Sequence, residues 1–146
     1  MATGSHGAGV DGHLSSHVVA NHAFAVESLL YKHHDEGATL QRYGSVIGVK
    51  SEAIEKYKHY HAHVWPEVLE TIRRCNIRNY SIYLKDGYLF AYYEYHGDDY
   101  RADMAKMAAD PKTREWWTIT DPMQQPLETR REGEWWAAME EVFHTD

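Results

Sequence analysis

The stretch YKHYHAHVWPEV, residues 57–68, concentrates imidazoles and phenols just ahead of a proline. On a helix, residues four apart share a face, so Tyr57 lies beside His61 and His59 lies beside His63. An imidazole exchanges protons near neutral pH, and a phenol donates a hydrogen bond. One interpretation of His61 is therefore an acid or base on a pocket wall, with Tyr57 next to it. The other is a buried histidine satisfied by Tyr57 or by a backbone carbonyl, and the spacing leaves both open.

The second histidine pair raises the question of a metal site. Two histidines at this spacing can chelate zinc, but a site needs a third or fourth ligand. The residue between them is His61 rather than the glutamate of a zinc-protease motif, and Cys75 is the only cysteine. We therefore predict that His59 and His63 are solvated surface residues and that the protein uses no metal.

Tyrosine and tryptophan dominate the aromatic residues, with 11 Tyr and 5 Trp against 3 Phe. Rings with polar tips suit carbohydrate pockets, and they equally suit a sheet with one wet face. Tyr80 alternates with apolar residues along a predicted strand, so its face is predicted to pack toward the helices, in a pocket or in the core. Adjacent helical residues point about 100° apart, so at most one of Trp116 and Trp117 lies flat on a ligand.

The elements that position these side chains begin at residue 43. Alternating polarity predicts a strand over 43–49, in which Gly44 and Gly48 share a face and permit close approach of a backbone or ligand. Ser51 is the predicted N-cap of a helix that runs to about residue 64, where Pro66 disfavours helical geometry. Pro66 then suits the first position of a second helix.

The second half of the sequence predicts a hairpin, two short helices and a closing strand. Asp86-Gly87 between two strand-like runs is a strong hairpin signal, and Asp98 is the predicted cap of the next helix. The predicted elements are strands over 78–84 and 88–95, helices over 98–107 and 112–119, and a closing strand over 139–143. This order is the α+β, ferredoxin-like βαββαβ arrangement. Its sheet leaves one Tyr- and Val-rich face open, so we expect a homodimer that closes a dimeric α/β barrel.

The whole chain of 146 residues fits one globular domain, which we place at 41–146. Residues 1–40 begin with a Gly- and His-rich segment and are predicted to be a flexible extension, with a weak helix over 24–32. A net charge of -7 without a basic run argues against nucleic-acid or anionic-membrane partners. No stretch reaches the roughly 18 apolar residues of a membrane span. A single cysteine fits a reducing, cytoplasmic setting.

Four blocks of the sequence follow one another in a specific order. They are Tyr57-x3-His61-x3-Trp65-Pro66-Glu67, Asn79-Tyr80-x-Ile82-Tyr83-Leu84, Trp116-Trp117 and Glu140-Glu141-Val142-Phe143. Together they resemble the L-rhamnose mutarotase family, and the resemblance runs over about 43–143, nearly all of the folded part. The resemblance implies a dimeric α/β barrel that interconverts sugar anomers without cofactor or metal. It also implies that His61 is the proton donor and that the sugar contacts are Tyr57, Tyr80, Trp116 and Trp117.

Two segments depart from the compact family pattern: the extension and the proline- and charge-rich loop over 122–133. These departures do not change the predicted reaction class, but they leave the identity of the sugar open. The predicted partner is therefore L-rhamnose or a related 6-deoxy monosaccharide. Trp135-Trp136, beyond the loop, is interpreted as a dimer contact or as lid packing. Two alternatives on the same barrel are a non-catalytic sugar- or small-ligand-binding protein and a cofactor-independent oxygenase.

Overall fold

Residues 40–146 are described by a computed structural model and form a mixed α/β unit. The elements in chain order are β1 (Gln41–Val49), a 3₁₀ turn (Ser51–Ala53), α1 (Ile54–Ala62), α2 (Pro66–Arg74), β2 (Ile77–Lys85), β3 (Tyr88–Tyr95), α3 (Tyr100–Ala109), α4 (Pro111–Thr120), a second 3₁₀ turn (Asp121–Met123), β4 (Gln124–Gln125) and β5 (Ala137–Met139). The predicted extension over 1–39 and its weak helix lie outside the described residues.

The strands within residues 40–146 form one antiparallel sheet. Its order is β2-β3-β1, and both β4 and β5 pair with the far edge of β1. This is the strand order of a ferredoxin-like unit, and the predicted fold class is confirmed. Ile47 of β1 pairs in register with Leu89 of β3, and both are buried with Tyr57 of α1. The helices therefore cover this face of the sheet, and the main core lies between them.

Two predicted helix caps are wrong by a few residues. The hydroxyl of Ser51 bonds the carboxylate of Glu52 instead of capping α1, and a 3₁₀ turn precedes that helix. Asp99, rather than Asp98, caps α3, because its carboxylate accepts a backbone N–H of the first turn at 2.9 Å. The N-cap position of α1 is Ala53, which has no capping side chain. Asp98 and Asp99 have the same capping ability, and only the loop geometry selects between them. Pro66 occupies the first turn of α2, as predicted.

The predicted closing strand over 139–143 is also displaced. The ladder with β1 forms at Ala137–Met139 and ends where Met139 pairs with Gly44. Beyond it an ion pair between Arg42 and Glu141 at 2.8 Å holds the chain near β1. Val142 and Phe143 are 89% and 79% exposed, so these apolar side chains are not part of the core of a single chain.

The glycines of β1 mark close approaches, as predicted. A Cβ on Gly48 would lie 2.7 Å from the backbone oxygen of Gln125, because β4 pairs at this position. The hairpin turn falls at Asp86 and Gly87, which have φ of 52° and 78°, the left-handed conformation that such turns require. Within the described residues, no helix is both long and apolar enough to cross a bilayer.

Candidate active site

A cleft of about 460 Å³ lies between the sheet and the helices. Most of its wall is aromatic or aliphatic, with a few polar side chains among them. It brings together all five side chains singled out from the sequence: Tyr57, His61, Tyr80, Trp116 and Trp117. An apolar cleft with few convergent polar groups is typical of a small-ligand site.

Tyr57 and His61 form a stacked pair on α1, as their spacing predicts. The ring centroids are 3.9 Å apart, with an interplanar angle of 21°. Nδ1 of His61 lies 2.9 Å from the backbone oxygen of Tyr57. Because a carbonyl oxygen can only accept, Nδ1 carries a proton and donates it in this hydrogen bond. In the neutral imidazole the lone pair therefore resides on Nε2.

This geometry joins the two interpretations of His61. One ring nitrogen is satisfied by a backbone carbonyl, and the ring still contributes to the cleft wall. Partial burial lowers the pKa of His61 below its ordinary value of 6.5, against the opposing effect of the carbonyl hydrogen bond. The neutral ring therefore predominates at pH 7 and has an available acceptor nitrogen.

The two neighbouring tryptophans of α4 have different environments. Trp116 is buried, and its ring meets those of His61 and Trp65 edge to face at 5.4 and 5.3 Å. Trp117 is only half-buried and also lines the cleft. Trp116 therefore packs edge to face against the His61 ring, and Trp117, the more exposed of the two, is the better placed to cover a ligand.

Tyr80 reaches the cleft because β2 contains an irregularity. The register with β3 shifts between Arg78 and Ser81, and Asn79 has φ of 48°. The extra residue changes the alternation, so that Ile77 and Tyr80 both line the cleft although they are three apart. Tyr80 remains 44% exposed at its open side, and desolvation by the surrounding protein raises its pKa to about 12.

Sequence reasoning missed a polar group at the base of the cleft. Gln124 of β4 is buried and donates from Nε2 to the hydroxyl of Tyr57 at 3.4 Å. Its Oε1 accepts from the indole Nε1 of Trp135 at 2.7 Å. Asp121, in the preceding 3₁₀ turn, is also buried and lines the cleft. These residues lie in DPMQQP, which has no periodicity, so the sequence offers no signal for their positions.

The second tryptophan pair, Trp135 and Trp136, lies in the wall of the cleft. Both line the cleft and pack against the core cluster around Ile47, and Trp135 hydrogen-bonds to Gln124. They are thus part of the pocket wall within one chain, and the interpretation as a dimer contact or lid stays a prediction. The loop after β4 returns the chain to the sheet, and β5 follows directly.

His59, on α1, and His63, directly after the end of α1, are solvated surface residues, as predicted. Both are exposed, and Nδ1 of His63 lies 3.0 Å from the backbone oxygen of His59. Across residues 40–146, no three or more His, Cys, Asp or Glu side chains are grouped closely enough to hold a metal ion.

Comparison with known proteins extends this description to a family. Residues 42–145 match the family model described as L-rhamnose mutarotase. The chain belongs to the L-rhamnose mutarotase family. It is 30% identical to the L-rhamnose mutarotase of Lactiplantibacillus plantarum over 107 aligned residues. The alignment covers 72% of this chain and 98% of that protein. It is 38% identical to the UPF0734 protein of Dictyostelium discoideum over 100 aligned residues. This alignment covers 65% of this chain and 80% of that protein.

A solved structure shares the fold. The crystal structure of an L-rhamnose mutarotase from Formosa agariphila matches with a TM-score of 0.56 and 20% identity, over 73% of this chain and 99% of that chain. At this identity the match shows a shared fold, the α/β barrel unit. Membership in the L-rhamnose mutarotase family makes the protein an isomerase that interconverts sugar anomers.

Proposed function

We propose that this mutarotase-family protein interconverts the α and β anomers of L-rhamnose or a related 6-deoxy sugar, and that His61 transfers the proton. The observation that carries the proposal is the commitment of Nδ1 to the Tyr57 carbonyl at 2.9 Å. It leaves Nε2 of a neutral imidazole as the proton acceptor, in a cleft with aromatic walls. An anomer exchange needs such a group and no electron sink.

Ring opening moves one proton between two oxygens on the same carbon. Nε2 of His61 takes the proton from the anomeric hydroxyl, the C1–O5 bond breaks, and its electron pair goes to O5 as the aldehyde forms. The imidazolium then donates the proton to O5, which is the proton-donor role that the resemblance implies. After rotation about C1–C2, the reverse steps close the ring on the other face. Positioned proton transfer of this kind contributes roughly 10²- to 10⁴-fold.

The other predicted site residues have supporting roles in the proposal. Burial raises the pKa of Tyr57, so its phenol stays uncharged and serves as a hydrogen-bond donor to a sugar oxygen. Tyr80 binds a hydroxyl at the open side of the cleft. Trp117 covers the apolar C–H face of the sugar, and Trp116 supports the His61 ring. An aromatic wall favours the methyl group of a 6-deoxy sugar over a hydroxymethyl by about 1 kcal/mol.

We also propose that the protein acts as a cytoplasmic homodimer. Val46, Phe90 and Tyr83 pair across three strands on the sheet face opposite Ile47 and Leu89. Tyr83 is 66% exposed in the single chain. A second copy packed on this face would bury these rings, which water otherwise contacts.

NMR magnetization exchange between sugar anomers tests the proposed function. Adding the protein should accelerate exchange of L-rhamnose, and L-mannose, which differs by a hydroxymethyl in place of the methyl, should be a poorer substrate. L-fucose tests whether another 6-deoxy sugar is accepted. Binding of these sugars without faster exchange would identify a non-catalytic binding protein. Oxygen consumption with an activated aromatic substrate would identify an oxygenase instead.

A further inference from the structure

We propose that Gln124, oriented by Trp135, is a positioning residue for this reaction and fixes the Tyr57 hydroxyl as a hydrogen-bond donor toward the sugar. The inference rests on the proposed function and extends the site beyond the residues that sequence motifs single out. Its basis is a hydrogen-bonded chain that runs in one direction from Trp135 through Gln124 to Tyr57.

The direction of this chain follows from the indole. A tryptophan Nε1–H can only donate, so the amide atom of Gln124 that lies 2.7 Å from it must be the oxygen. The amide NH₂ therefore faces the Tyr57 hydroxyl, at 3.4 Å from its oxygen. Gln124 is buried on β4, and Trp135 packs against the core, so the amide cannot exchange its two ends without losing the indole bond.

The consequence for Tyr57 is a defined hydrogen-bond polarity. Its hydroxyl oxygen accepts from Gln124, and its single proton is left to donate elsewhere. Among the residues that the structure describes, Gln124 is the one side chain hydrogen-bonded to this hydroxyl, and Tyr57 lines the cleft. A sugar oxygen is thus the natural acceptor for the Tyr57 proton.

A donor at this position acts on the charge that develops during ring opening. When the proton leaves the anomeric hydroxyl, negative charge passes from O1 to O5, and a fixed O–H donor stabilises it. Removing one preorganised donor of this type typically slows a reaction by roughly 10²- to 10³-fold. The role of Gln124 is therefore indirect, through the orientation of Tyr57.

The decisive variant is Gln124→Glu, which has the same shape and the opposite hydrogen-bond polarity. At about pH 8 its carboxylate still accepts from Trp135 but has no proton to donate, so it accepts the Tyr57 proton instead. We expect kcat for anomer exchange to fall about 10²-fold, with KM changed less than about 3-fold. Gln124→Leu should lose only about 10-fold or less, because the hydroxyl is then free to turn toward the sugar. Gln125→Glu places the same charge one residue on, on an exposed side chain, and should leave exchange unchanged.

A double-mutant cycle separates positioning from a general effect of the new charge. In the Tyr57→Phe background, Gln124→Glu should cost no more than about 2-fold, because the hydroxyl that it misdirects is absent. An equal loss in both backgrounds, or wild-type kcat in a folded Gln124→Glu protein, would overturn the positioning role while leaving the proposed function intact. Failure of the wild-type protein to accelerate exchange would instead reject the proposed function and this role with it.

A second variant covers the case in which Gln124→Glu does not fold. Trp135→Phe keeps most of the ring and removes the donor that orients the amide, so either end of Gln124 can face Tyr57. We expect a loss of kcat of about 3- to 10-fold that disappears in the Tyr57→Phe background. A loss that persists there would assign Trp135 to packing alone and overturn the inference.

Discussion

Replacement of His61 by Ala or Asn tests the proton-transfer step directly. Alanine removes the whole ring, whereas Asn retains an N–H that can still donate to the Tyr57 carbonyl but cannot transfer a proton at neutral pH. His63→Ala is a matched control, because His63 makes the same bond to the carbonyl four residues earlier and faces solvent. The three variants therefore change side chains at positions only two residues apart, one on α1 and one at its end.

The expected magnitude has a catalytic and a structural part. Losing positioned proton transfer should slow exchange at least about 10²-fold, or roughly 3 kcal/mol or more of transition-state free energy. His61→Ala also removes a ring stacked on Tyr57 and edge-on to Trp116, which should cost about 1 to 3 kcal/mol of folding free energy. His63→Ala should change neither quantity measurably, since its ring is exposed.

The assay is anomer exchange by NMR at saturating L-rhamnose, with urea unfolding on the same samples. Sugar binding, followed by titration, should change little in His61→Asn, because the lost interaction belongs to the transition state. A folded His61→Asn or His61→Ala protein with wild-type exchange would refute the mechanism. An equal loss in His63→Ala would show that the assay reports helix stability rather than chemistry.

The remaining predictions concern pH, the tryptophans and the dimer. Burial lowers the pKa of His61, and the neutral ring is the proposed base, so the exchange rate should rise with pH through a pKa below 6.5 and be constant at neutral pH. An exchange rate that instead falls as the pH rises would assign the activity to the imidazolium form. Trp117→Ala should raise KM more than Trp116→Ala does. Because Trp116 is the buried residue, Trp116→Ala should lower the melting temperature more than Trp117→Ala does. The opposite result in both measurements would assign ligand contact to Trp116 and packing to Trp117. Tyr83→Glu should shift the mass measured by sedimentation at micromolar concentration from about twice the chain mass toward that of the monomer. A monomeric mass for the wild-type protein would contradict the proposed dimeric barrel.

Local patterns predict β1, β2, β3, the hairpin and the α1 face well, because each depends on residues close in sequence. The four-residue spacing of Tyr57 and His61 is a property of any helix, and Asp86-Gly87 specifies its turn by backbone conformation alone. The exposed His59 and His63 each lie two residues from His61, which puts them on a different side of the chain from the cleft. These features need no knowledge of the rest of the chain.

Features that depend on distant partners could not be predicted in the same way. Gln124 lies 67 residues from Tyr57, and nothing in DPMQQP signals a buried amide. Trp135 reaches the cleft only because β5 pairs with β1 after the loop, so its environment depends on tertiary structure. The pattern places the closing strand too far along the chain because Val142 and Phe143 resemble core residues, although both are exposed in one chain.

The chemistry of the cleft follows from one physical cause that acts on two groups in opposite directions. Burial penalises charge, so it lowers the pKa of His61, whose charged form is the acid, and raises the pKa of Tyr57, whose charged form is the base. At neutral pH both side chains are therefore uncharged, one with an acceptor nitrogen and the other with a donor hydroxyl. Two rings stacked at 3.9 Å suit this pair of neutral forms, since a charge on either ring would lose its hydration. Anomer exchange needs an acceptor for one proton and a donor to the oxygen that gains charge, and in the proposed mechanism His61 is the acceptor and Tyr57 is the donor.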